Sequence, residues 1–176
     1  MFASVAGLTA AFAGVPEAQI ARLGQDLTPM GAEQAGNADG SIPAWTGGLT
    51  SVPEGVSYKG DGHYPDPFAS DPVLYTVNKD NAAQYADTLT PGQAAMIKAY
   101  PDYTLNVYQS RRTCALPQAV YDATKVNAKT AALAGGGDGL SGIVMGIPYP
   151  LPFDAYEIVW NHNLRYRGYK MTRTFA

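Results

Sequence analysis

The sequence predicts an α+β fold in which short helices and a few strands are joined by long extended loops. Helical spacing of apolar residues and N-cap signals indicate the helices, whereas strict alternation of residue types indicates strands at 103–108 and 169–175. The chain also contains 19 glycines and 13 prolines among its 176 residues. These concentrate in 25–72 and 135–152, and we therefore interpret both stretches as ordered loops rather than disorder.

The first half of the chain predicts three short helices and one long loop. Pro16 suits the first turn of a helix that Gly24 ends. Residues 25–72 show almost no periodicity and are interpreted as an extended wrap, with aromatic anchors at Trp45, Tyr58, Tyr64 and Phe68. A short helix follows near 80–86. Another begins after the N-cap Thr90, and its apolar face is predicted at Ala94, Ile97 and Ala99, with Met96 nearby.

The second half begins with the alternating strand, in which Tyr103, Leu105 and Val107 share one face. A helix is predicted over 117–133, with Lys125 and Lys129 on its exposed face. Its inner face is predicted at Val120, Ala123 or Thr124, Asn127 and Ala131. A glycine turn at 135–139 and a short strand at 143–147 follow. The prolines of 148–152 then predict an extended segment, because proline disfavours helix at the preceding residue.

A last helix is predicted from the N-cap Asp154, with Glu157 three residues on, to the stop at Gly168. Its helically spaced apolar residues predict a buried face at Tyr156, Val159, Trp160 and Leu164. The alternating residues 169–175 then predict the first strand of a larger sheet, since an edge strand of this kind needs a partner.

The composition excludes several classes of protein. A net charge of −3 and a pI of about 5.2 argue against a generally basic nucleic-acid-binding protein. The single cysteine excludes a disulfide scaffold, and Cys114 is predicted to be a small buried apolar residue. Beyond the N-terminus there is no run of about 20 apolar residues, which excludes a multi-pass membrane protein.

The first 13 residues are interpreted as a signal peptide. Residues 1–16 carry no charged side chain, and Ala11-Phe12-Ala13 fits the small-x-small cleavage pattern. Cleavage there would leave 14–176 as an exported, periplasmic or extracellular protein. The alternative is a short buried N-terminal helix.

Charge is distributed unevenly along the chain. Residues 17–91 contain ten acids and three bases, whereas 92–176 contain five acids and nine bases. In one interpretation, the acidic half folds against the basic half, or both are simply solvated. In the other, a basic patch binds an anionic ligand or partner. The patch would consist of Arg165, Arg167, Lys170 and Arg173.

Residues suited to catalysis are sparse, and we assign no catalytic residue, metal site or cofactor. His63 with Asp61 and Asp66 could form part of a metal site, but the spacing of a zinc site is missing and a structural histidine is the favoured interpretation. His162 is either a polar surface residue or, as an alternative, a catalytic base.

Aromatic residues are the positive signal, because 12 tyrosines, five phenylalanines and two tryptophans can line an apolar cavity while offering polar tips. Ordinary anchoring of core and loops is the alternative. The candidate ligand-binding residues lie near the last predicted helix and are Tyr149, Tyr156, Trp160, His162, Arg165 and Arg167.

Several motifs occur in an order that marks a resemblance. Residues 23–50 read LGQDLTPMGAEQAGNADGSIPAWTGGLT, and PDPF stands at 65–68. AYPDY at 99–103, GIPYPLP at 146–152, IVWNH at 158–162 and RYRG at 165–168 follow. The chain resembles the exported Gram-negative family catalogued as domain of unknown function 1329, whose members are often labelled outer-membrane lipoprotein-sorting-like.

The resemblance implies a fold like that of lipoprotein carriers, a curved antiparallel sheet open as a half-barrel with helices over its concave face. Family members are more than twice as long as this chain. We therefore expect 14–176 to be the N-terminal part of one larger α+β domain, with helices and long loops packed on an incomplete antiparallel sheet. The family supplies no established catalytic residues.

Three functional hypotheses follow. The first is a periplasmic carrier or accessory protein for a hydrophobic or lipid-like ligand, working beside outer-membrane transport. The second is a hydrolase with a polar site around His162, Arg165 and Arg167, which would recruit acidic residues from the rest of the longer protein. The third is a non-catalytic interaction protein that docks to an outer-membrane or envelope protein through its long loop; none of the three involves nucleic acid.

Overall fold

The structure is a computed structural model that describes residues 15–170 and residue 172. The predicted signal peptide, 1–13, lies outside the described residues. Mixed helices and small antiparallel sheets confirm the α+β prediction. The helices are α1 (Glu17–Ile20), α2 (Pro91–Ala99), α3 (Gln118–Thr130) and α4 (Ala155–Asn163). The strands are β1 (Tyr75–Val77), β2 (Leu105–Val107), β3 (Ala132–Ala134) and β4 (Gly139–Ser141).

The chain divides into two compact units. Unit one contains the described residues up to Ala35, then Ala44–Thr46, and the described residues from Cys114 onward. Unit two contains Gly36–Pro43 and Gly47–Thr113. Within the part of the chain that the structure describes, no helix has the length and apolar character needed to cross a membrane.

The core of unit one lies between α1, the turn after it and α3. It consists of Ile20, Leu23, Leu27 and Ala128, with Val15 and Leu151 packed against it. Lys129 of α3 donates to Glu17 of α1 over 2.7 Å. The predicted inner face of α3 is confirmed at Val120, Thr124 and Asn127, which are buried, while Ala131 follows the helix and is half-buried.

A hairpin follows α3 where the sequence predicted three more helical residues. The helix ends at Thr130, and β3 then pairs antiparallel with β4, with Leu133 opposite Leu140. The predicted glycine turn forms the tip of this hairpin, since Gly136 and its neighbours adopt positive φ angles that favour glycine.

The strand predicted at 143–147 is wrong, and those residues belong to an irregular segment, 142–152, that we call the proline segment. Gly142 and Gly146 bend it with φ angles of +78° and +80°. Three prolines then remove backbone donors that a strand partner would need. The predicted extended, non-helical course of 148–152 is correct, and Pro148, Tyr149 and Pro150 are buried.

Helix α4 begins as predicted but presents a different face. The side chain of Asp154 accepts from the backbone N–H of Tyr156 over 2.7 Å, and Glu157 accepts from the N–H of Phe153 over 2.7 Å. The predicted buried face is wrong, because the side chains that turn inward and are half-buried are Glu157, Trp160 and Asn161. The predicted inner residues other than Trp160 are exposed: Tyr156, Val159 and Leu164.

The end of α4 also differs from the prediction. The helix stops at Asn163, before Gly168. Of the strand predicted at 169–175, the described residues 169, 170 and 172 form no strand, and the others lie outside the described residues.

Unit two is built on the pair β1–β2, in which Tyr75 lies opposite Val107 and Val77 opposite Leu105. Strand β2 confirms the predicted alternation, since Leu105 and Val107 are half-buried while Asn106 is exposed. Strand β1 is an element that the sequence analysis did not predict. Val77 from β1 and Ile97 from α2 are the large buried apolar side chains of this unit among the described residues.

A 3-10 helix (Ala82–Tyr85) confirms the short helix predicted near 80–86. The start of α2 is also as predicted: Thr90 accepts from the N–H of Gln93, and the side chain of Gln93 accepts from the N–H of Thr90. The predicted apolar face of α2 is wrong in part. Ile97 is buried, but Ala94 and Ala99 are exposed, as is the nearby Met96.

The long wrap at 25–72 is confirmed as ordered chain with no helix or regular strand. In unit one, the indole N–H of Trp45 donates to the carbonyl of Cys114 over 2.9 Å, and its ring meets Tyr121 edge-on. Cys114 itself is exposed, so the prediction of a buried cysteine is wrong. The contact with Trp45 is made by the backbone carbonyl of Cys114 rather than by its thiol.

In unit two, Arg111 forms a bidentate pair with Asp71 and lies 4.3 Å over the ring of Phe68. This pairing lowers the pKa of the Asp71 carboxyl. Together with the pair of Lys129 and Glu17 in unit one, it joins the basic half of the sequence to the acidic half. Two bases of residues 92–176 therefore pair with acids of residues 17–91.

Close packing at Gly31 gives a first prediction. Gly31 has a φ of +89°, and a Cβ atom there would collide with the backbone carbonyl of Pro150 in the proline segment. Gly31→Ala should lower the free energy of unfolding by about 3 kcal/mol, because left-handed strain adds to overpacking. Urea unfolding followed by tyrosine and tryptophan fluorescence measures the change.

Gly24→Ala is the matched control for this experiment. Gly24 has a similar φ of +82°, but nothing lies within 4 Å of the position of a Cβ atom. Gly24→Ala should lower the free energy of unfolding only by the strain of the left-handed backbone, about 1–2 kcal/mol. Equal losses of stability in the two variants would contradict the close approach of Gly31 to Pro150.

Candidate functional site

The six candidate ligand-binding residues all lie in unit one, on the proline segment, on α4 and just after it. The structure brings them to two places rather than one. Tyr149, Tyr156 and Trp160 take part in packing around the proline segment and the β3–β4 hairpin. His162 and Arg165 lie together at the exposed end of α4, with Arg167 following.

Asn161 holds the backbone of Tyr149 through two hydrogen bonds. The N–H of Tyr149 donates to the Asn161 side-chain oxygen over 2.9 Å, and the Asn161 amide donates to the Tyr149 carbonyl over 2.6 Å. From α3, the amide of Asn127 donates to the carbonyls of Met145 and Ile147 over 2.7 and 2.9 Å. The two asparagines thus replace the strand partner that the proline segment lacks.

The hydroxyl of Tyr149 is the one buried side-chain polar atom without a partner among the described residues. The residue is 7% exposed. Burial raises the pKa of this phenol, and the negative charge of Glu157 raises it further. The hydroxyl of Tyr149 therefore stays protonated, and this donor has no acceptor among the described residues.

Trp160 and Tyr156 fix the glycine turn of the hairpin. The indole N–H of Trp160 donates to the carbonyl of Gly137 over 2.9 Å. A Cβ atom at Gly137 would collide with the ring of Tyr156. The indole N–H of Trp160 is therefore already engaged by a backbone carbonyl, and the rings of Trp160 and Tyr156 both have a structural role.

His162 and Arg165 contact each other at the end of α4. Arg165 donates to the backbone carbonyl of His162 over 2.6 Å, and the same guanidinium nitrogen lies 3.4 Å from His162 Nε2. Among the described residues no carboxylate bonds to the imidazole, whereas a catalytic histidine of the triad type is oriented by one. Arg173, the last member of the predicted basic patch, lies outside the described residues.

In the loop that contains His63, the aspartate side chains accept hydrogen bonds from the backbone and so stabilise turns. Asp61 accepts from the N–H of His63 over 3.0 Å, and Asp66 accepts from the N–H of Phe68 over 2.8 Å. Within residues 15–170 and 172, no group of three His, Cys, Asp or Glu side chains comes together in a way that could hold a metal ion.

Unit two contains a groove that the sequence analysis missed. It lies between the 3-10 helix and α2 and has a volume of about 540 Å³. Small side chains on both walls leave this space open. The lining residues are Lys79, Ala82, Ala83, Ala86, Leu89, Ala94, Ile97, Lys98 and Pro101. Leu89 also borders a second cavity of about 360 Å³ beside the β1–β2 pair.

The alanines were the available sequence signal for the groove. Alanine pairs at 82–83 and 94–95 flank the Thr90 cap, and helical spacing predicted Ala94 on a packed face. Because alanine is both a good helix former and a small side chain, the sequence pattern does not distinguish a filled interface from an open one.

The pairing of Asn161 with Tyr149 gives a second prediction. Asn161→Ala leaves a buried N–H and a buried carbonyl without partners, so we expect the free energy of unfolding to fall by about 1–3 kcal/mol. Asn161→Asp should be at least as damaging, because a carboxylate oxygen would face the Tyr149 carbonyl. Thermal unfolding and near-ultraviolet circular dichroism measure the loss.

The control is Asn163→Ala, at the exposed end of the same helix, where the side chain makes no hydrogen bond with another described residue. It should change stability by less than about 0.5 kcal/mol. A wild-type melting curve for Asn161→Ala would show that the asparagine does not hold the proline segment.

Comparison with known proteins agrees with the motifs. The chain is 46% identical over 166 residues to an uncharacterized protein of Pseudomonas aeruginosa, an alignment that covers 94% of this chain and 36% of that protein. The chain thus spans about a third of the length of this curated relative. No solved structure matches this chain. A family model described as "Protein of unknown function (DUF1329)" matches residues 76–176, and the chain belongs to this family.

Proposed function

We propose that this chain is part of a periplasmic carrier or accessory protein for a hydrophobic or lipid-like ligand, working beside outer-membrane transport. The observation that carries the proposal is the groove of unit two. Its volume of about 540 Å³ lies within the range of small-molecule sites, roughly 300–1,000 Å³. Seven of its nine lining residues are apolar.

The size of the hydrophobic effect sets the kind of ligand that such a groove can hold. Each buried methylene contributes about 0.8 kcal/mol, and association costs at least about 4 kcal/mol. A chain of about ten methylenes would give about 8 kcal/mol before those costs. Binding in an open groove is then weak and reversible, which suits a carrier that must release its ligand.

Two further features belong to the same proposal. The uncharged leader, 1–13, supports export to the periplasm. The antiparallel pairs β1–β2 and β3–β4 are compatible with the curved half-barrel that the family resemblance implies. We propose that half-barrel for the longer family protein.

The two alternatives receive less support. Hydrolysis near His162 is not proposed, since among the described residues no carboxylate orients the imidazole. An envelope interaction protein would dock through the long wrap, where Val52 and Tyr64 are 71% and 82% exposed. This alternative becomes the better one if no apolar probe binds the groove.

Filling the groove tests the proposal and gives a third prediction. The wild-type chain should bind a neutral apolar fluorophore such as N-phenyl-1-naphthylamine. Ala94→Phe, which places a ring in the groove wall formed by α2, should weaken binding by about tenfold or more, because the lining loses the space for the probe. Fluorescence titration measures the affinity.

Ala119→Phe, at an exposed position of α3 outside the groove, is the matched control and should bind like the wild type. Thermal unfolding of both variants checks that each is folded. The absence of probe binding to the wild type, or an unchanged affinity in a folded Ala94→Phe variant, would refute ligand binding in this groove.

A further inference from the structure

We infer that the ligand of the groove is an amphiphile with one apolar chain and an anionic head, and that Lys79 and Lys98 bind the head. This inference rests on the proposed function, since it concerns the same groove. It adds the sign of the ligand's charge and the residues that recognise it.

The charge of the groove lining is the first observation. The two charged side chains among the nine lining residues are both lysines, and no acidic side chain lines the groove. Lys79 comes from residues 17–91, which carry ten acids and only three bases, whereas Lys98 comes from residues 92–176, which carry nine bases and five acids. The groove thus takes one lysine from each part of the chain and no acidic side chain from either.

The lack of internal partners is the second observation. Neither Lys79 nor Lys98 makes a hydrogen bond or an ion pair with another residue in the described part of the chain. Other cations are used internally: Arg22 pairs with Asp26, Arg111 with Asp71 and Lys129 with Glu17. The two ammonium groups of the groove thus keep all their donors for a ligand.

The arrangement of the lining along α2 is the third observation. Lys98 lies in the last turn of the helix, about 6 Å beyond Ala94 along the axis, and Leu89 precedes the helix. Leu89 and Ala94 thus supply apolar lining on the N-terminal side of Lys98, while Ile97 and Pro101 lie close to it in the sequence. The aliphatic stems of the lysines extend the apolar lining while their ammonium groups reach solvent.

Chemistry and size together define the class of ligand. A carboxylate or phosphate head satisfies the lysines, and one acyl-like chain fits a site of drug-like volume better than a whole diacyl phospholipid would. An anion without a chain would bind weakly, because solvent-exposed lysines hold a lone charge poorly in high dielectric. Both parts of the ligand are therefore needed.

A competition experiment with a set of probes of equal chain length tests this inference, our fourth prediction. Decanoate, decyl phosphate, decanol and decyltrimethylammonium would each displace the neutral fluorophore from the full chain, below their micelle concentrations. We expect the two anionic probes to compete about tenfold better than decanol, and the cationic probe to compete worst. Comparing decanoate with decyl phosphate identifies the preferred head.

The lysine variants make the test specific. In Lys79→Gln/Lys98→Gln, the advantage of decanoate over decanol, measured as a ratio within the same variant, should fall to about twofold or less. Lys125→Gln, at an exposed lysine on α3 without a partner among the described residues, should keep the full advantage. Inorganic phosphate alone should not displace the fluorophore.

The outcomes separate the inference from the proposed function. If decanol competes as well as decanoate, or if the double variant keeps the advantage, the anionic head is refuted although the groove still binds an apolar ligand. Displacement by inorganic phosphate alone would also overturn the inference, since a chain would not be required. If neither the fluorophore nor any amphiphile binds, both the inference and the proposed function fail.

Discussion

Unit one depends on the hydrogen bonds that Asn127 and Asn161 make to the backbone of the proline segment. A buried backbone needs partners for its carbonyl and amide groups, and proline prevents the usual solution of a neighbouring strand. Two side-chain amides, one from α3 and one from α4, supply those partners instead. Gly31 and Gly146 permit the close approach, since a Cβ atom at either would collide with its neighbour.

This arrangement explains why Asn161 and Trp160 lie on the inward face of α4. Asn161 must reach the backbone of Tyr149, and Trp160 must reach the carbonyl of Gly137, so these two positions determine which side of the helix is covered. The apolar residues on the other side, including Ile158 and Val159, are then exposed among the described residues. Hydrogen bonding, rather than burial of the most apolar face, sets the rotation of the helix about its axis.

The sequence could predict the elements whose determinants lie within a few residues. The Thr90 cap with Gln93, the Asp154 cap, the alternation that surrounds β2 and the buried face of α3 all depend on local spacing. Strand β1 could not be predicted in this way, because its three residues pair with a strand about 30 residues later. The difference between the predicted and the observed inner face of α4 has the same origin, since the partner of Asn161 is 12 residues away. The groove was missed because the space between two alanine-rich elements is a tertiary property.

The distribution of satisfied polar groups indicates where ligand recognition is available. In unit one, Trp160 and Arg165, two of the candidate residues, already make internal hydrogen bonds, and a group used in this way gains little from a ligand. The Tyr149 hydroxyl is the exception, but it is buried within the packed proline segment. The lysines of the groove are exposed, without partners among the described residues, and adjacent to apolar surface. Apolar surface supplies affinity for a ligand, and an unpaired charge supplies selectivity for the ligand's head group. The groove has both properties, whereas the candidate residues of α4 do not combine them.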